Sequence, residues 1–96
     1  MQLSIVVPVR NEAENVLPLL AEIHAALNGR ADFEVVYVDD GSTDATASRL
    51  LEGMQKYSYM RVLTHATSCG QSAALLTGFR VARGDWIATL DGSCAP

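Results

Sequence analysis

Residues 33–42 read FEVVYVDDGS, and the fold turns on how this stretch is parsed. Phe33 to Val38 is a short apolar run rich in β-branched residues, the pattern of a strand covered on both faces in a parallel sheet. It stops at Asp39-Asp40-Gly41-Ser42, where turn chemistry leads into a helix. Leu3 to Val9 (LSIVVPV) repeats the pattern upstream and Trp86 to Leu90 (WIATL) repeats it downstream. Met60 to Thr64 (MRVLT) is a shorter and weaker strand candidate between them.

Between the strands the period becomes helical. Val16, Leu19, Leu20, Ile23 and Leu27 share one face. Pro18 places the start of this helix near Glu14 or Asn15, where a missing N–H falls in the first turn, so Arg10 to Glu14 reads as loop. A second helix follows Asp40-Gly41-Ser42, with Ser42 or Thr43 as N-cap and Asp44 in the first turn, and is expected to bury Leu50, Leu51 and Met54. The third spans roughly Gly70 to Ala82. Its Ala73, Ala74 and Gly78 permit close packing, and Leu75, Phe79 and Ala82 repeat at helical spacing. Phe79 and Trp86 are assigned to the core. The order β-α-β-α-β-α-β predicts an α/β fold, a Rossmann-like parallel sheet with right-handed crossovers.

Composition bounds the partners. Ninety-six residues, 49% hydrophobic and 19% charged, make one globular domain. Lys+Arg 7 against Asp+Glu 11 gives a net charge of -4, without the basic footprint of nucleic-acid binding. No apolar run approaches the roughly 20 residues of a membrane span, and no cationic leader precedes the first strand, so the chain reads as cytoplasmic. Cys69 and Cys94 are too few and too far apart for a disulfide framework, and both read as free structural thiols. His65 and Cys69, with His24 and Cys94 elsewhere, lack the four closely paired ligands of a structural zinc site.

Parallel sheets of this kind bind ligands beyond the carboxyl ends of their strands, where strand order reverses. Three acidic loops lie there: Pro8-Val9-Arg10-Asn11-Glu12, Asp39-Asp40-Gly41-Ser42 and Asp91-Gly92-Ser93. Together they set Glu12, Asp39, Asp40 and Asp91 around one cleft. So many carboxylates repel unless a ligand or cation joins them. Helix capping accounts for Asp40 or Asp44 singly, but not for two aspartates in succession. The first loop has no glycine, which excludes a dinucleotide fingerprint, and there is no P-loop. A phosphate would then be held by helix N-terminal amides or through a divalent cation. Arg10, Arg80 and Arg83 offer charge for phosphate, or are solvated helix-end residues.

Four segments carry a resemblance: SIVVPVRNEAENV, VVYVDDGSTDAT, GQSAALLTGF and ARGDWIATLDG. In this order and spacing they resemble the nucleotide-sugar half of family-2 glycosyltransferases, closest to the dolichyl-phosphate and polyprenyl-phosphate mannosyl- or glucosyltransferase branch. The match covers Leu3 to Gly92. The resemblance implies a GT-A fold, here ending after the fourth strand, so that residues 1–96 form the N-terminal donor-binding part. It implies that Pro8, Arg10 and Glu12 line the nucleoside pocket, with Glu12 toward the ribose or base. Asp39 would accept hydrogen bonds from the base, and Asp40 would support Gly41 and the next helix. Gly70 and Gln71 would approach the diphosphate, and Asp91 would hold Mg²⁺ or Mn²⁺ against it.

The family's Asp-x-Asp reads Asp91-Gly92-Ser93 here, so a hydroxyl replaces the second carboxylate and weakens the ligand set for a hard cation. The acceptor half and the catalytic base lie outside this chain, so no residue is assigned as the base. The implied reaction is hexose transfer, with inversion, from GDP-mannose or UDP-glucose type donors to a polyprenyl or dolichyl phosphate at the cytoplasmic face of a membrane. Alternatives are a non-catalytic nucleotide-binding module and a folding or oligomerisation unit. An interrupted sheet with uncovered apolar faces also predicts a homo-oligomer.

Overall fold

The computed structural model describes residues 1–91. Its elements run β1 (Leu3–Val9), α1 (Ala13–Leu27), β2 (Phe33–Asp40), α2 (Thr46–Lys56), β3 (Met60–His65), α3 (Gln71–Val81) and β4 (Trp86–Thr89). The strands are parallel and lie in the order β3-β2-β1-β4. The chain therefore steps outward from β1 to β3 and then crosses back to the far side of β1. Crossovers of one hand, taken in opposite directions, place their helices on opposite faces.

The core divides accordingly. Ile5, Val7 and Val9 alternate with Val6 along β1, as Val35 and Tyr37 alternate with Val36 and Val38 along β2. The first set packs with Val16, Leu19, Leu20 and Ile23 of α1 and Leu50 of α2. The second packs with Ala74 of α3. α3 comes close because Gly78 has no Cβ; one placed there would meet Val6 Cγ1 at 2.3 Å. Gly84 serves β4 likewise, since a Cβ would strike the Ser4 amide nitrogen at 2.5 Å.

Glu34, read as part of an apolar run, is buried and pairs with Arg61 at 2.8 Å. It also accepts from Ser4 Oγ and, at 2.7 Å, from the Arg83 amide. With Gly84 N–H donating to Ser4 Oγ at 2.8 Å, this network ties the start of β4 to β1 and β2.

Several boundaries and burials differ from expectation. α1 begins at Ala13, which puts Pro18 in its second turn. The ring denies an N–H to the Glu14 carbonyl, and both residues lie on the exposed face of the helix. α2 begins at Thr46, and neither Ser42 nor Thr43 caps it. Ser42 Oγ instead accepts from the Asn11 amide at 2.9 Å, and the Thr43 amide donates to Asn11 Oδ1 at 2.8 Å. Asp44 precedes the helix and accepts from Thr46 N–H at 2.8 Å.

The buried face of α2 is Thr46, Leu50 and Gly53, and Leu51 and Met54 are exposed at 54% and 37%. Gly53 decides this, because a Cβ there would meet Leu20 at 2.6 Å and Met60 at 2.8 Å. Phe79 and Trp86, expected in the core, are exposed at 41% and 76%. β4 is an edge strand and its residues are largely exposed, so it is not covered on both faces as its apolar sequence predicts. No helix among the described residues is long and apolar enough to cross a membrane.

Candidate functional site

The strand order reverses between β1 and β4, and a cavity of about 320 Å³ opens at their carboxyl ends. Pro8 lines it from the end of β1, Arg10 and Glu12 from the β1–α1 loop, Gly70 and Gln71 from the start of α3, Asp40 from β2 and Asp91 from beyond β4. Seven of the eight residues nominated from sequence thus meet in one cavity. Val9, Ser68 and Ala74 complete the wall. Ser93, Gly92 and Cys94 lie outside the described residues.

Asp39 is the exception. It is buried and absent from the lining, and its Oδ1 accepts the Ser42 amide at 3.0 Å. The turn support expected of Asp40 is therefore provided by Asp39. Successive strand residues face opposite sides, so Asp39 follows Val35 and Tyr37 toward α1 and α2, whereas Asp40 follows Val36 and Val38 toward α3. That alternation was available from the sequence, and extending β2 by two residues would have separated the pair.

Asp40 organises the loop before α3. Its Oδ1 accepts from the Cys69 amide at 2.8 Å and faces His65 Nδ1 at 2.7 Å. Its Oδ2 accepts from Ser68 Oγ and from the Gly70 amide, each at 2.9 Å. The Cys69 amide, reinforced by His65, Ser68 and Gly70 against the cost of burial, holds the Asp40 carboxyl well below the usual carboxylate range. Nothing in the sequence pairs Asp40 with residues 65–70; the contact arises because Asp40 and His65 are register partners in β2 and β3.

The opposite wall is braced by cross-links between loops. Asn11 adopts a left-handed φ of 54°, which Asn tolerates, and its neighbour Glu12 donates its amide to Thr46 Oγ1 at 3.0 Å. Glu12 Oε2 also accepts from Asn15 Nδ2 at 2.8 Å, which fixes the carboxylate at the cavity rim. Cys69, read as a structural thiol, is exposed.

The cavity therefore combines a helix N-terminus, one arginine and three carboxylates, a donor and acceptor set suited to a phosphorylated, hydroxyl-rich ligand. The glycosyl transferase family 2 model matches residues 4–95. This chain belongs to that family.

Family 2 relatives match it along nearly its whole length. Dodecaprenyl-phosphate galacturonate synthase of Rhizobium johnstonii is 40% identical over 95 residues, covering 96% of this chain and 28% of that protein. Dolichol-phosphate mannosyltransferase of Pyrococcus furiosus is 36% identical, covering 95% of this chain and 25% of the relative. The chain thus spans about a quarter of the length of these relatives. Among solved structures, the mannosyltransferase PcManGT of Pyrobaculum calidifontis, in complex with GDP-Man and Mn²⁺, superposes with a TM-score of 0.88 at 28% identity. It is matched over 96% of this chain and 27% of its own. S. aureus TarS 1-349 in complex with UDP-GlcNAc gives 0.87 at 26% identity, over 97% of this chain and 27% of that one. The four-stranded parallel sheet is accordingly of the GT-A type expected from the motifs.

The fit of a hard cation to this family 2 cavity rests on Asp91. Glu12, Asp40 and Asp91 share the cavity, but among the described residues they do not gather their oxygens into one ligand cluster. A magnesium-like ion commonly takes one or two carboxylates and draws its other ligands from phosphate and water. Asp91 meets the lower end of that requirement.

The depressed carboxyls predict acid sensitivity. Burial acts to raise Glu34, but hydrogen bonds from Ser4, Arg61 and the Arg83 amide outweigh it and leave the group below its ordinary value. Asp40 is lowered as well. The unfolded chain then binds protons first as pH falls, so these groups contribute their full stability above about pH 5 and lose it progressively in more acid solution. Urea midpoints should be flat from about pH 7 to 5 and fall below about pH 4. A midpoint unchanged at pH 3 would contradict the depressed values.

Proposed function

We propose that this chain is the donor-binding part of a glycosyltransferase that transfers a hexose from a nucleoside-diphosphate sugar of the GDP-mannose or UDP-glucose type to a polyprenyl or dolichyl phosphate. The observation that carries the reading is the convergence of Pro8, Arg10, Glu12, Asp40, Gly70, Gln71 and Asp91 on the switch-point cavity. The relatives' names support the lipid-phosphate acceptor and the sugar-nucleotide donor.

In this reading the Pro8–Glu12 loop borders the nucleoside and Glu12 accepts from ribose or base hydrogens. The amides at the start of α3 face the diphosphate, where the helix dipole favours negative charge. Arg10 adds a cation on the other side of the cavity. Mg²⁺ or Mn²⁺, when bound, would supply Lewis-acid stabilisation of the departing diphosphate, and Asp91 is the residue that would hold it. The acceptor's phosphate oxygen displaces the nucleoside diphosphate at the anomeric carbon, with inversion. The residues that hold that acceptor belong to the portion of the relatives that this chain does not span.

Ser93 in place of a second aspartate favours a second reading, a nucleotide-binding module without turnover. Exposed Trp86, Ile87 and Leu90 support self-association at the β4 edge. Titration with UDP and GDP, followed by amide NMR with and without Mn²⁺, tests the donor site. Shifts should centre on Glu12, Gly70 and Asp91, and Mn²⁺ should strengthen binding more in Ser93→Asp than in the parent chain. No shift in either protein, with either nucleotide, would remove the donor-site reading. Shifts that ignore Mn²⁺ in both would favour the non-catalytic module.

A further inference from the structure

Asp40 lies 25 residues or more before His65 and Cys69 in sequence, yet one ligand atom from each of the three falls within 4.8 Å of the other two. We propose that these residues form a binding site for a zinc-type divalent cation, separate from the position of Asp91. The three come from different elements: the end of β2, the end of β3 and the residue before the Gly70 cap of α3. The register pairing of Asp40 with His65 makes the meeting a property of the sheet and not of a loop alone.

The supporting shell is that of a metal-bound imidazole. His65 Nε2 lies 2.8 Å from Thr77 Oγ1, whose hydroxyl donates to the Ala73 carbonyl at 3.0 Å. With that hydroxyl proton committed, Thr77 Oγ1 is free to accept an Nε2 proton when Nδ1, which faces Asp40, gives its lone pair to an ion. Ligating histidines are oriented in this way by a partner on the far nitrogen. The carboxylate is positioned as firmly, by Ser68 and by the Cys69 and Gly70 amides. The Cys69 thiol is exposed and donates to the Thr67 carbonyl at 3.4 Å.

Sulfur, nitrogen and a single carboxylate select zinc-like ions over magnesium or calcium. The ion would stand between Nδ1 and Oδ1 with the single proton of the neutral ring on Nε2, toward Thr77, and the thiol proton would leave to solvent. The 2.7 Å separation of Nδ1 and Oδ1 must widen by less than about 1 Å to suit tetrahedral bonds of roughly 2.0–2.3 Å. Water would fill the fourth position.

The test uses Co²⁺ alone on the reduced chain, with no nucleotide, so its outcome is independent of the donor-site reading. One equivalent should produce a thiolate-to-cobalt band in the near ultraviolet and the visible bands of a four-coordinate ion, both abolished by Zn²⁺. Cys69→Ser, a surface change checked by far-ultraviolet circular dichroism, should remove the thiolate band, and Cys94→Ser should keep it. Thr77→Val should weaken binding at least ~10-fold by freeing the imidazole. Absence of the band in the parent chain, its survival in Cys69→Ser, or its loss in Cys94→Ser would overturn the site.

Discussion

Asp40→Ala should lose about 3 kcal/mol of stability and, if the proposed donor site is real, all measurable nucleotide binding. The carboxylate is buried and takes a donor at each of its four lone-pair positions: the Cys69 amide, His65, Ser68 and the Gly70 amide. Hydrogen bonds to a charged group contribute about 1.5–3 kcal/mol each in net terms, and buried donors left unpaired add a desolvation cost. Partial hydration of the emptied site offsets some of this sum, which is why the expected loss is nearer to the cost of one such bond than of four. Asp40→Asn makes the comparison sharper. Its amide has one oxygen to offer where the carboxylate has two, and its NH₂ would oppose the Gly70 amide or His65. It should lose about 2 kcal/mol, with cavity volume unchanged. Urea denaturation followed by circular dichroism measures both. Equal stability of Asp40→Asn and the parent would show that the four contacts carry little energy.

Gly41→Ala should be the most damaging of the glycine replacements at positive φ. Gly41 and Gly29 have nearly the same backbone, φ +73° and +77°, so the intrinsic cost of a side chain in the left-handed region is shared at about 1–2 kcal/mol. Their surroundings differ. A Cβ at Gly29 meets nothing within 4 Å, whereas at Gly41 it would lie 2.7 Å from the Ser68 amide nitrogen and 3.0 Å from the Thr67 carbonyl carbon. Those are backbone atoms in the loop that Asp40 holds, so relief requires that the loop withdraw from the cavity wall. Gly41→Ala is expected to cost about 3 kcal/mol or more and to weaken nucleotide binding, and Gly29→Ala about 1–2 kcal/mol with binding intact. Matched thermal melts and nucleotide titrations of the two variants decide it. Indistinguishable variants would mean that the loop moves freely.

Much of the architecture was legible because its signals are local. β1 and β2 announce themselves as β-branched runs, β3 more weakly, and the helical stripe of Val16, Leu19, Leu20 and Ile23 is buried as its spacing demands. Errors arose where a distant neighbour decides. The α2 face turned on Gly53, which admits Leu20 and Met60, so Leu51 and Met54 face outward despite their apolarity. Ser42 and Thr43 have the chemistry of helix caps, but Asn11 from the preceding loop claims them. Trp86 and Phe79 have core-like side chains, yet β4 is an edge strand and they are exposed.

The candidate site divides in the same way. Its residue types and their place at strand ends follow from sequence, because a parallel sheet directs the carboxyl ends of all its strands to one edge. The roles of two adjacent aspartates follow from alternation only once β2 is known to run through Asp40, which the turn-like Asp-Asp-Gly-Ser does not announce.

By itself the sequence determined the α/β order, the family, the location of the cleft and the acidic residues around it, for these depend on periodicity and on motifs within single segments. Only the tertiary structure decided that Asp40 and not Asp39 enters the cavity, that His65 and Cys69 meet Asp40, and that Glu34 is buried against Arg61. Each of those outcomes is a contact between segments some 25 or more residues apart, set by strand register and close helix approach. Burial then makes such contacts strong, because a polar group removed from water must find its partner within the fold.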